Sequence, residues 1–404
     1  MTLGKIFVAI YTLLILPCAT FAQSGCTDPA ASNYNPAATI NDGSCIYPVT
    51  HYSPPLRAAL NPIITESSGI VFTDGKMWTH NDSGNPNEIY SVDTTDGHTI
   101  QTVTIDNFSN IDWEDITADS GYIYIGDHGN NNGSRTDLRV LKVKKADIGS
   151  GASVHVNAEA ISFAYTDQTN FTPSSTHNFD CEALISIKDS LYIFTKDRGD
   201  LKTRVYKMPK VPGSYNLSPY TNFNVGGLIT GADYDSINKQ IVLVGYLSGH
   251  ANSFLWFLNN YQGDMFFSGN KRRIEIGNGQ EWQTEGVCFI SSGHFFISCE
   301  TAGNINASLF TGDKTWLGPA AVKTNYVSHI RLSPNPFRDM LQIGNMERPG
   351  NYVVTNILGQ LIQQGGLNSG VNNIQFDAGK YSGTLIICVT DDNGNKYCEK
   401  IIKY

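Results

Sequence analysis

The chain is poor in charge, and poorest in basic charge. Only 16% of its 404 residues are Asp, Glu, Lys or Arg, and the 28 basic residues leave a net charge of −9. That balance argues against the basic faces on which nucleic-acid binders rely, and it suits metal ions or cationic partners. Long apolar runs are missing after the first twenty or so residues, so no later segment is fit to be a membrane helix. Signatures of common catalytic chemistries are missing as well. There is no Gly-x-Ser-x-Gly elbow, His-Glu-x-x-His helix, phosphate-binding loop or Cys-x-x-Cys pair. Serine- and cysteine-nucleophile readings are therefore poor.

What the chain has instead is glycine, 38 residues of it, and aromatic side chains at 11%. Such a composition suits an all-β extracellular protein with many turns, and the length allows two or three domains with full cores. Lys5 is followed by the apolar run IFVAIYTLLIL, with Thr20 and Ala22 at the small-residue positions of a cleavage site. Residues 1–22 thus read as a secretory signal peptide, which places the mature chain in a disulfide-permitting space. Beyond Cys18, seven cysteines remain. Locality pairs Cys26 with Cys45 and Cys388 with Cys398, and an odd count leaves at least one free thiol or intermolecular bond among Cys181, Cys288 and Cys299.

The middle of the chain keeps rewriting one stretch, TEGVCFISSGHFFISCE (284–300). Folded about Ser292-Gly293 as a two-residue hairpin, it sets Glu285 opposite Glu300. The same construction on 113–127, with a turn at Ser120-Gly121, sets Glu114 opposite Asp127. On 180–197, turning at Asp189-Ser190, it sets Glu182 opposite Asp197. On 66–82, turning at Asp74-Gly75, it sets Ser67 opposite Asp82. Like charges facing across a strand pair are destabilising, so their recurrence points to a cation between them. Gly69, Asp115, Ala183, Ala232 and Gly286 mark the repeat at intervals of 46 to 68 residues, the spacing of propeller blades.

The expectation is a β-propeller over 66–325 with five blades, or six if residues 50–65 and 314–325 build another. Residues 48–65, with Pro48, Pro54, Pro55 and Pro62, form a linker running into an edge strand. In a propeller the first strands line the channel. Asp82, Glu114, Asp127, Glu182, Asp197, Glu285 and Glu300 would then encircle one mouth, with the fourth blade supplying no acid. Clustered carboxylates raise one another's pKa, and calcium, which takes 6–8 oxygens in irregular geometry, is the natural remedy. The alternatives are pairing with Arg135, Arg139, Arg198 and Arg204, or plain solvation. The first reading is a binding module with calcium at the channel mouth; the alternative is a metal-dependent hydrolase of phosphoesters or lactones, for which His80 and His128, each at or just beyond the end of a second strand, are the candidate bases.

The hairpin pattern of Glu-Gly/Ala, aliphatics, turn, aliphatics and acid resembles the phytase-like and SdiA-regulated propellers, and is similar to calcium-dependent six-bladed lactonases. That resemblance covers roughly 66–313. It implies a channel-mouth calcium that polarises a phosphoryl or carbonyl oxygen. Residues 25–47 (CTD…NY…DGSCIY) resemble a short repeat of bacterial cell-surface proteins. Asp28, Asn41 and Asp42 are candidate calcium ligands there, as in thrombospondin type-3 repeats, or else a plain turn. Residues 328–404 alternate in period two with Gly and Asn at the turns, which predicts a seven-strand β-sandwich. LSPNPF (332–337), NILGQLI (356–362), GKYSGTLIICV (379–389) and the final KIIK (400–403) resemble the C-terminal sorting domain of type IX secretion cargo. The resemblance implies export across the outer membrane of a Gram-negative cell by the type IX machinery. It further implies removal of the domain, with release or surface attachment.

Overall fold

The computed structural model describes residues 22–404 except 248, 250–251, 278–281, 292, 314–329, 347, 357–359, 378–380 and 393–395. The expected signal peptide lies outside them but for Ala22, as does the 314–325 half of the alternative sixth blade. The chain divides into two compact units, residues 1–316 and 317–404.

In the first unit, five sheets each begin with a strand of the repeat: Ser67–Thr73, Trp113–Ala118, Cys181–Ile187, Leu228–Asp235 and Thr284–Ser291. Each first strand adjoins the next and the fifth adjoins the first, so the five close into a ring around a channel. This is a propeller, with five blades among the described residues. Leu56–Ala59 pairs with Ser308–Asp313 as the outer strand of the fifth blade. The 50–65 segment therefore completes blade five, which hides the sheet edge that a simple open ring would leave.

Alternating apolar residues on the two faces of each blade make the core, which lies between blades. Ile89, Val103 and Trp78 of blade one pack with Trp113, Ile125 and Leu141 of blade two. Leu184, Ile193 and Tyr206 of blade three pack with Val140, Ile161 and Phe163 of blade two. Outer edges are interlocked. Ser153–Val156, from the third-to-fourth-strand excursion of blade two, pairs parallel with the outer strand Thr99–Ile105 of blade one. Gly213–Leu217 of blade three does the same to Ala158–Tyr165 of blade two. The Cys26–Cys45 disulfide closes the small N-terminal module, with a sequence separation of 19. Asn41 and Gly43 of that module hydrogen-bond Asn270 and Lys271 on the outer strand of blade four at 2.8 and 3.0 Å.

The predicted facing carboxylates are not in register. Of the four expected hairpins, those of blades one, two and five keep the expected register at their turns, with Thr73 opposite Lys76, Ala118 opposite Ile123 and Ser291 opposite His294; in blade three the turn moves to Lys188-Asp189, with Ile187 opposite Ser190. Near the mouth every first strand then bulges. The ladder jumps from Ser67 to Ile70, Trp113 to Ile116, Cys181 to Ala183, Ile229 to Gly231 and Thr284 to Val287. Trp113, not Glu114, therefore faces Asp127, and Thr284, not Glu285, faces Cys299. A bulge leaves its extra residue unpaired and re-aims its side chain. The repeat's equivalent in blade four is Gly231 rather than Ala232. A Cβ there would lie 2.3 Å from the Glu285 carbonyl oxygen, so only glycine lets the two inner strands approach so closely.

In the second unit, a three-stranded sheet (Arg331–Ser333, Met340–Met346, Gly370–Gln375) and a four-stranded one (Gly350–Asn356, Leu361–Leu367, Gly383–Asp391, Lys396–Lys403) make up the seven-strand sandwich. Leu341, Ile343 and Ile374 of one sheet share a core with Val354, Ile387 and Ile401 of the other. Cys388 stands opposite Cys398 in the ladder and is disulfide-bonded; the Cys398 side chain lies outside the described residues. Cys181, Cys288 and Cys299 are free and buried. No helix among the described residues is long and apolar enough to cross a membrane.

Candidate functional site

The five bulges put one side chain per blade at the same end of the channel: Ser68, Glu114, Glu182, Thr230 and Glu285, all buried. Asp82, Lys196, Tyr246 and Glu300 arrive beside them from the ends of the second strands. Together with Asn131, Arg198 and Gln283, the three glutamates and these four residues line a cavity of about 210 Å³. Five of the seven sequence-predicted ring residues (Asp82, Glu114, Glu182, Glu285 and Glu300) thus share one cavity.

Asp127 and Asp197 do not. Asp127 is wholly buried between Arg135 at 3.1 Å and Arg139 at 2.7 Å, and Asp197 is ion-paired with Arg204. The bulge opposite Asp127 and the two-residue slip of the third hairpin turn these two aside. Arg198 pairs with Asp180 at 2.9 Å. All four arginines are therefore engaged with acids outside the cavity lining, and only Arg198 also reaches one inside it, Glu182 at 3.7 Å.

The cavity is electrically lopsided. On one side the Lys196 ammonium donates to Glu182 at 2.9 Å beneath the Tyr246 ring, and Arg198 lies 3.7 Å from the same carboxylate. On the other, Asp82, Asp112 and Glu114 bring oxygens within 4.8 Å of one another. The nearest guanidinium there, Arg135, is 4.0 Å from Asp112. Gly129 makes this crowding possible, since a Cβ on it would lie 2.1 Å from Glu114 Oε1 and 2.5 Å from Asp112 Oδ2. Burial, and then Asp82, push the Asp112 carboxyl up to about 7. Burial and Glu285 push Glu300 up to about 9. Burial, with Glu182 beside it, also holds Glu114 well above the usual range. The Glu285 Oε2 atom is buried and, among the described residues, makes no hydrogen bond of ordinary geometry, although burial raises this carboxyl while Lys196, Gln283 and Thr230 nearby pull it down.

Asp112 escaped the sequence reading because it precedes the first strand. Three acids within Asp112-Trp113-Glu114-Asp115 were the available signal. Asp115 has another task. It accepts the N–H groups of Ile116, Leu184 and Ala232 at 2.8, 2.8 and 3.2 Å, tying the inner strands of blades two, three and four together.

Neither candidate base reaches the cavity. His80 is buried against Trp113 with Nδ1 on the Asn81 carbonyl at 3.1 Å, and burial pulls it down to about 4. His128 is buried with Nδ1 on the Cys181 carbonyl at 3.0 Å, and burial pulls it down to about 3. Both are uncharged at neutral pH. In the N-terminal module, Asp28, Asn41 and Asp42 accept local backbone N–H groups at 2.9 to 3.1 Å, and Asp28 also binds Tyr47. They act there as turn and docking residues.

No curated protein matches the chain significantly. Among solved structures, PorZ, a surface component of the type IX secretion system of Porphyromonas gingivalis, aligns at 13% identity and a TM-score of 0.32 over 89% of this chain. This chain spans about half of that one, 48%. A PQQ-bound aldose sugar dehydrogenase from Streptomyces coelicolor aligns at 10% identity and a TM-score of 0.38, covering 64% of this chain and 99% of that one. A GH43_1 enzyme from Xanthomonas citri aligns at 10% identity and 0.35, covering 63% and 89%. Residues 331–404 match the family described as Secretion system C-terminal sorting domain. The sandwich that closes this chain is therefore a type IX sorting domain, and the protein that carries it is exported across the outer membrane to the cell surface.

Proposed function

We propose that the exported propeller is a binding module that holds a calcium-type divalent cation at its channel mouth. The observation that carries this reading is the Asp82–Asp112–Glu114 cluster, whose oxygens lie within 4.8 Å of one another. Oxygens sharing one calcium at 2.3–2.6 Å stand at most about 5 Å apart. The Glu285 Oε2 atom, in the cavity that Asp82 and Glu114 also line, supports it: among the described residues it makes no hydrogen bond of ordinary geometry, and a buried acceptor left unsatisfied costs about 1–3 kcal/mol unless something fills the need. A hard cation would offset the burial and the mutual repulsion that together raise Asp112 and Glu300. A surface ligand bearing oxygen donors would complete the cation's shell from the open side.

The same ring used as a metal-dependent phosphoester or lactone hydrolase is the other reading. It finds no histidine at the cavity to serve as base, so the binding role is preferred. The test is thermal unfolding of the full chain during calcium titration. A cation bound to the folded state alone stabilises it by about 2.7 kcal/mol at a hundredfold excess over Kd. A melting temperature indifferent to calcium and to chelator would sink the reading.

A further inference from the structure

The opposite face of the propeller holds a second, larger cavity of about 600 Å³ between blades three and four. Its rim is built from the first-hairpin turns, Lys188-Asp189 and Asn238-Lys239, and from the loop after Phe254–Asn259. These hairpin turns lie at the ends of the first strands remote from Glu182 and Thr230. Nothing in the mouth chemistry explains it.

We infer that this cleft binds an acidic sugar, a pyranose bearing a carboxylate or phosphate. The floor and walls carry Tyr192, Tyr234, Tyr261 and Phe266, with Tyr192 and Tyr261 both packed edge-on to Phe266 at 5.0 and 5.2 Å. Tyrosines give a sugar ring a flat apolar contact and a hydroxyl within reach. The Tyr261 hydroxyl is buried with no hydrogen-bond partner, which leaves an open demand of the kind a ligand hydroxyl meets. Around this floor stand Lys188, Lys207 and Lys239.

In a chain of net charge −9 the cleft is locally positive, since Lys188, Lys207 and Lys239 outnumber its two carboxylates, Asp189 and Asp264. Asp264 neutralises Lys207 at 2.6 Å and is further held by the Tyr192 hydroxyl. Lys188 and Lys239 instead stand exposed on turns of left-handed backbone, at φ 51° and 50°. Asn238 is fixed by donating to Asp235 at 2.7 Å, so its carbonyl oxygen is free to accept from a sugar hydroxyl. Apolar platform, fixed amide and unspent cations form the set that discriminates an acidic sugar from a neutral one. The volume falls in the range of small-molecule sites, roughly 300–1,000 Å³.

The test is titration calorimetry on the full chain with trigalacturonate, glucose 6-phosphate and maltotriose. Binding of at least one acidic probe, with maltotriose much weaker, is expected; the stronger of the two acidic probes identifies carboxylate or phosphate. The double variant Lys188→Glu/Lys239→Glu should weaken that binding by about tenfold or more without moving the melting temperature, because both side chains are exposed. Tyr261→Phe should weaken it while keeping the ring. Glu285→Gln, at the mouth, should leave it unchanged. The inference is overturned if neither acidic probe binds, if maltotriose binds equally well, if the double lysine variant binds as the native chain does, or if Glu285→Gln abolishes binding.

Discussion

Asp112→Asn and Asp127→Asn each remove one negative charge from the same hairpin region, and the structure gives them opposite outcomes. Asp112 faces other carboxylates, and its pKa rises from 3.8 to about 7. The sign follows directly. The folded protein keeps a proton that the unfolded chain releases above pH 4, so this group's contribution falls as pH rises from about 4 to 7 and stays unfavourable above that. At about 1.4 kcal/mol per unit, the ionised group costs the folded state on the order of 4 kcal/mol. Asp112→Asn should therefore raise the melting temperature at pH 8 in chelator, by a few degrees at about 2 °C per kcal/mol. The same variant should lose most of the calcium response. Asp127 instead holds Arg135 and Arg139. Removing one member of such a buried pair costs about 3–5 kcal/mol, with calcium or without. Differential scanning calorimetry of both variants at pH 8, in chelator and in excess calcium, decides the matter. If Asp112→Asn melts below the native protein in chelator, as Asp127→Asn should, the mouth carboxylates are satisfied by the protein's own cations and the cation site is refuted.

His128, pulled down to about 3, gives a second pH signature: the unfolded chain takes up its proton near 6.5 and the folded one does not until far lower. Stability should fall by up to about 1.4 kcal/mol per unit as pH drops from 6.5 toward 3, and His128→Gln should lose that part of the slope in denaturant titrations at several pH values. Gly231→Ala drives a Cβ to within 2.3 Å of the Glu285 carbonyl oxygen; overpacking of this kind costs about 1–3 kcal/mol, visible as a lower denaturation midpoint. Reducing Cys26–Cys45, or Cys26→Ser/Cys45→Ser, removes a constraint worth about 3 kcal/mol in the chain-entropy picture. It should expose residues 25–47 to limited proteolysis. Deleting residues 331–404 should leave the protein inside the outer membrane, which cell fractionation reads directly.

The blades were legible because their first hairpins carry strict alternation and local turns. Ile70 faces Thr79 and Ile116 faces Ile125, as a count from Asp74-Gly75 and Ser120-Gly121 requires. The count failed at the tips, because a bulge is set by contact with the neighbouring blade. Asp115 reaching the Leu184 and Ala232 amides is a relation no single hairpin contains. It failed by two residues in blade three, where Lys188 takes the left-handed turn position that Asp189 seemed to own in the sequence. The site was half legible for the same reason. Carboxylates clustered as the repeat suggested, but which ones faced the channel depended on bulges, and which were tied off depended on arginines from neighbouring segments. The outer strands Ser153–Val156 and Gly213–Leu217, exchanged between blades, lay in stretches whose partners are parallel and distant, beyond any local pattern.

The pairing of Leu56–Ala59 with Ser308–Asp313 joins segments roughly 250 residues apart, and it closes the ring together with the packing of Ile70 and Met77 of blade one on Cys288 and Phe296 of blade five. Contacts of such high order are slow to form, so the last blade sets the pace at which a newly delivered chain becomes a rigid object. A shortening of ten residues just ahead of Ser67 would strip blade five of its outer strand and bare the edge of Ser308–Asp313 while leaving every blade's hairpin intact.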